Sequence, residues 1–150
     1  MTLSKWMPWF VVPLIFFYIA GESPSWAWFP DFLSDKLQIL VNNDALALPK
    51  GFITLPSGQN WDPTVGQVII LIGVLILAVE LFKSAQDTRG SVIDHMLSIL
   101  VFIFYFAFFL SKPWAKSDVF VLIGAMSFLD VVTGFTITIA IARRDMVISH

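Results

Sequence analysis

Cysteine is missing from this chain, histidine occurs only twice, and charged residues make up 13% of its 150 positions. Without a thiol there can be no disulfide, no iron–sulfur cluster, no thiolate zinc site and no cysteine nucleophile. Of the two histidines only His95 falls in an apolar stretch, which excludes a haem held between two membrane-embedded histidines of this chain. No run of five or more Lys and Arg occurs, and the formal charge is −2, so nucleic acid is not an expected partner. A Gly-rich phosphate loop, G-x-S-x-G and H-E-x-x-H are all missing too. The expectation is a protein that is not an enzyme and carries no cofactor and no metal.

What the chain has is apolar bulk. Hydrophobic residues make up 57% and the mean hydropathy is +0.81, against roughly 45 to 50% apolar and 25% charged in soluble domains. That composition belongs in a lipid bilayer. At about 20 residues per crossing, the length allows about four spans in one membrane domain covering residues 1–150. The expected fold class is an all-α membrane protein: four transmembrane helices in an up-down bundle, with spans at about 6–20, 65–82, 91–110 and 119–142.

The stretch 65–110 organises the rest. It reads as a helical hairpin: the apolar run 65–82, a polar turn from Lys83 to Gly90, and a second apolar run that opens on Asp94 and His95. The preceding span, about 6–20, is read as retained and not as a cleaved leader, because Pro8 and Pro13 are unusual in a leader and no A-x-A-like site follows. Pro13 predicts a kink. The loop 21–64 is too polar to span. Within it, Ser34 as an N-cap and Leu37, Leu40, Val41 and Leu48 at helical spacing predict a short amphipathic surface helix. Residues 52–55, between two Pro/Gly turns, read as an extended piece with no evident strand partner. Asp62 is read as the cap of the second span, with Pro63 at its first position. Ser91 to Asp94 has capping-box spacing at the start of the third. Arg143 and Arg144 are read as the stop of the fourth, which is ~36 Å long at 1.5 Å per residue.

Counting Lys and Arg near span ends places Lys5, Lys83, Arg89, Arg143 and Arg144 on one side against Lys112 and Lys116 on the other. The positive-inside rule then predicts a multi-pass protein of the bacterial inner (cytoplasmic) membrane with both termini cytoplasmic. Six tryptophans are read as interface anchors: Trp26, Trp28, Trp61 and Trp114 outside, Trp6 and Trp9 inside.

Ionisable side chains in hydrocarbon cost roughly 2.5 to 3.5 kcal/mol each on insertion scales, so each must find a partner, water or the interface. Asp130 lies near the middle of the fourth span and must look inward. Gly124, Ser127, Gly134 and Thr138 share its face, a small and polar stripe suited to close helix packing. Glu80 continues the seven-residue spacing of Gly66 and Gly73, and Lys83 and Arg89 are its natural partners. Asp94 suits a helix start. Glu80 and His95, at similar depth on adjacent antiparallel helices, are expected to be near enough for a carboxylate–imidazole pair that titrates near neutrality. Asp94 and His95 diverge by ~100° around their helix and so aim poorly at one ion.

By elimination, and because small-residue faces suit helix association, the functional expectation is an accessory or structural subunit of a larger membrane complex, or a homo-oligomer. Its partners would be lipid and other membrane subunits or copies of itself. The alternative is a proton-coupled or cation-transport bundle that uses Asp130 with Glu80 and His95.

Overall fold

The computed structural model describes residues 8–23, 30, 31, 35, 53–86 and 91–148. Among them run four long helices, α1 (Val11–Glu22), α2 (Val65–Gln86), α3 (Ser91–Ser111) and α4 (Asp118–Ile148), and a two-stranded hairpin of β1 (Ile53–Thr54) and β2 (Asn60–Trp61). Two helices are long and apolar enough to cross a membrane, over Val65–Ser84 and Asp118–Ala140. The apolar stretches Val11–Glu22 and His95–Ser111 are shorter.

Local sequence explains where each element starts. At α2 the cap is Thr64, not Asp62: the Gln67 amide donates to the Thr64 hydroxyl at 3.2 Å, and the Thr64 amide donates to the Gln67 side-chain oxygen at 3.0 Å. This reciprocal T-x-x-Q box satisfies two otherwise orphaned N–H groups. At α4, Ser117 Oγ accepts from the Phe120 amide at 3.2 Å, and Asp118 adds an acid to the positive helix end. α3 begins at Ser91; the expected capping box there rests on side chains outside the described residues.

Several expectations are corrected. Pro13 does not kink a helix interior, because α1 starts at Val11 and Pro13 falls in its first turn. The Trp9 carbonyl is satisfied by Val12, so the missing donor costs nothing there. The fourth apolar stretch ends at Ala140, just before Arg143 and Arg144 as expected, but the helix itself continues to Ile148, because arginine is a good helix former. The polar turn after α2 is shorter than Lys83 to Gly90, since the helix extends to Gln86. The extended piece at 53–54 does have a partner: Ile53 pairs with Trp61 and Thr54 with Asn60. Between the strands Leu55 and Gln59 are joined by a 2.9 Å bond around Pro56, Ser57 and Gly58. Gly58 has φ +79°, the left-handed residue that closes a three-residue hairpin loop. The expected surface helix at 34–48 lies outside the described residues, apart from Asp35, which is helical and exposed.

The largest correction concerns neighbours. α4 packs against both α2 and α3, whereas α2 and α3 make at most marginal contact with each other. α4 is therefore the central rod. Tyr105 lies beside Gly124 and His95 beside Gly134, ten residues apart on each helix in opposite senses, so α3 and α4 are antiparallel in constant register. α1 packs on the other half of α3 and α4, where Phe10, Leu14, Phe17, Ala20, Tyr105, Trp114, Phe120 and Ile123 form the apolar core.

Candidate functional site

Among the described residues, the acidic and histidine side chains Glu80 on α2, His95 on α3 and Asp130 on α4 are nearly inaccessible, at 4%, 6% and 5% exposure. Their common level follows from helix register. Gly73 of α2 faces Ile123 and Met126 of α4, and two turns further along both helices Glu80 comes level with the turn from Asp130 to Thr133. His95 meets α4 one turn beyond Asp130, at Gly134. Ser98 and Ser127, also buried, lie within a turn of the same level.

Each group has a distinct setting. Glu80 accepts a hydrogen bond from the Trp9 backbone amide, which ties α2 to the start of α1, and its other oxygen lies 3.6 Å from Lys83 Nζ. His95 is laid across α4: a methyl group at Gly134 would meet the imidazole Cε1 and Nδ1 at 2.5 Å, so only glycine admits the ring there. Its Nε2 is 2.8 Å from Thr138 Oγ1 in a hydrogen bond, and Phe135 flanks it at 5.9 Å between ring centroids. Asp130, Gly134 and Thr138 recur every four residues, which makes one stripe along α4. Glu80 meets Trp9 and Lys83 and His95 meets Thr138, while α4 packs against the helices of both. The Asp94 side chain lies outside the described residues. Among the described residues no three His, Asp or Glu side chains could jointly hold a metal ion.

The small-residue faces are used within the chain. Gly66 and Gly73 are buried on α2, Gly124 receives Tyr105, and Gly134 receives His95. Sequence reasoning found this stripe but missed its guests. The signal was the i, i+4, i+8 spacing of Asp130, Gly134 and Thr138.

A second polar group closes the opposite end. Trp114 is only 8% exposed and is not an interface anchor. Its indole covers Gly21, where a methyl group would overlap the ring, and its Nε1–H donates to Glu22 Oε1 at 3.1 Å. Lys112 Nζ meets the same oxygen at 2.6 Å. The bond from Lys112 holds the Glu22 carboxyl below its ordinary range, helped by the Trp114 indole. The same bond raises Lys112. Trp9 and Trp61 are exposed; Trp6, Trp26 and Trp28 lie outside the described residues. Tyr105 donates to the Phe10 carbonyl at 3.2 Å, which links the two polar regions through α1. Compared with known protein families, with curated proteins and with solved structures, the chain matches none.

Proposed function

We propose that this chain is a non-enzymatic, four-span helical protein of the bacterial inner membrane. It works as an accessory or structural subunit of a larger membrane assembly, or as a homo-oligomer. The observation that carries the reading is an inverted polarity. Glu80, His95, Ser98, Ser127 and Asp130 are buried, whereas Leu71, Leu75, Phe82, Phe106, Leu110 and Ile139 are among the exposed side chains, Phe82 at 70%. Water-soluble proteins seldom expose apolar patches beyond a few hundred Å², and a bilayer or a neighbouring apolar helix removes that conflict. α2 supports a subunit role most directly: it packs mainly on α4 and leaves Leu71, Ile72, Val74, Leu75, Val79 and Phe82 uncovered. The bias of Lys and Arg toward the Lys83 and Arg143 end supports cytoplasmic termini. Native extraction in mild detergent, with cross-linking from cysteines placed at Leu75 and Phe82, tests the role. A cross-linked partner or self-oligomer is expected; a monomer that recovers no partner overturns it.

One observation favours a second reading, proton-coupled or cation transport: Glu80, His95 and Asp130 come from three helices to one buried level. Proteoliposome flux compared between the wild type and Asp130→Asn tests it, and flux that is absent or indifferent to the substitution removes it.

A further inference from the structure

The hairpin that precedes α2 has two unlike faces. Ile53 pairs with Trp61 and Thr54 with Asn60 across the strands. Side chains alternate along a strand, so Ile53 and Trp61 share one face and Thr54 and Asn60 the other. Leu55, two residues beyond Ile53, extends the apolar face, and Gln59 stands opposite it at the loop end. Ile53, Leu55 and Trp61 are all exposed. On the polar face the Thr54 hydroxyl donates to the Asn60 side-chain oxygen at 3.4 Å. An isolated two-stranded hairpin is marginal in water, and this one turns its apolar side outward.

Its place in the chain says what covers that side. Three residues, Asp62, Pro63 and Thr64, separate Trp61 from Val65, where a stretch long and apolar enough to cross a membrane begins. Four residues reach at most ~14 Å. Pro63 is fully buried, and the T-x-x-Q box pins Thr64, so the joint is anchored to the bundle. A bilayer has an interfacial layer of about 5 to 8 Å on each side of its hydrocarbon, the layer that indole rings favour.

We infer that the β1–β2 hairpin is a lipid-binding element lying in the membrane interface at the mouth of α2, with Ile53, Leu55 and Trp61 turned into the headgroup–acyl boundary and Thr54 and Asn60 toward water. Residues 53–61 carry no charge, so the attraction is apolar burial and needs no anionic lipid. The inference rests on the reading of α2 as a membrane span.

The absence of native cysteine makes the test direct. Thr54→Cys, Leu55→Cys and Leu75→Cys are made singly in the full chain, labelled with the same environment-sensitive dye and reconstituted into vesicles of phosphatidylcholine alone. Each label is then quenched by aqueous iodide and by phospholipids spin-labelled near the headgroup or deep in the acyl chain. The Leu75 label should be quenched from deep in the acyl region. The Leu55 label should lose most of its iodide quenching and respond to the shallow spin label, while its neighbour at Thr54 stays open to iodide. Adding anionic lipid should change none of this. A Leu55 label as open to iodide as the one at Thr54, with Leu75 in lipid, overturns the inference and leaves the span standing. Equal lipid quenching at Thr54 and Leu55, or a Leu55 label shielded from both quenchers and so covered by protein, overturns it too. A Leu75 label outside lipid removes the span and the inference together.

Discussion

The two ends of this bundle use one device for different purposes. At one end an aromatic ring, Trp114, lies on a helical glycine, Gly21, and donates its ring N–H to Glu22. At the other, His95 lies on Gly134 and bonds Thr138. In both, a missing Cβ lets a flat ring sit against a helix backbone, and a ring nitrogen fixes its rotation. The difference is in the partner. Trp114 donates to a carboxylate that Lys112 also holds, whereas His95 meets a threonine hydroxyl that itself donates to the Gly134 carbonyl. The Trp114 end is fastened to a charged pair, and the His95 end to a neutral group on the helix it lies against.

The comparison breaks most decisively at the two glycines. Gly21→Ala and Gly134→Ala each force a ring off its seat, and overpacking of this kind costs about 1–3 kcal/mol even after the helix gains from losing a glycine. Thermal unfolding in detergent should show both losses. Tryptophan fluorescence should change in Gly21→Ala and the His95 resonances in Gly134→Ala. Cross-effects on the other ring would show that the ends are coupled.

Tyr105→Phe is a smaller perturbation that falls between the ends. It removes the bond to the Phe10 carbonyl and leaves that oxygen without its side-chain donor, at a cost of about 1–2 kcal/mol, read as a lower Tm with unchanged helix content. Thr64→Ala removes one half of the cap of α2 and should cost about 1 kcal/mol. It serves as a control that touches neither ring.

The smallest effect belongs to the ion pair. Glu22→Gln should lower Tm by no more than about 3 °C, because the pair is half-exposed and screened. Its pH dependence has a definite sign. The folded-state pKa of Glu22 is lowered, so its contribution is present above the ordinary carboxyl range and is lost as pH falls through the depressed value. The pKa of Lys112 is raised, so its share persists below the ordinary lysine range and disappears as pH climbs through the raised value. Stability referred to Glu22→Gln should therefore be flat around neutrality and converge with the variant at both extremes.

Much of this architecture was legible in the sequence because its signals are local. The apolar runs at 65–82 and 119–142 marked the two longest helices, and Pro63 marked the beginning of the first of them to within two residues. The arrangement of neighbours was not legible. A helix that is apolar all round, as α2 is, has no polar face to say which side is covered. Adjacency in sequence then favours pairing α2 with α3, and the insertion of α4 between them overrides it. That same insertion lays His95 on Gly134 and Thr138. Trp114 was misread for a related reason: an indole beside a polar turn suits a headgroup region, and only the absent side chain at Gly21, ninety-three positions away, shows that it has a seat indoors.

α4 contains no proline and runs unbroken through 31 residues, a stiff rod of about 46 Å. Phe120, near one tip, abuts the Trp114 ring at 5.6 Å, and Gly134, about 21 Å further along, cradles the imidazole. A slide or tilt of this shaft cannot be absorbed midway, so whatever displaces it at one tip is delivered at the other. Arg143, carried past the last apolar turn, moves with it like the end of a tiller.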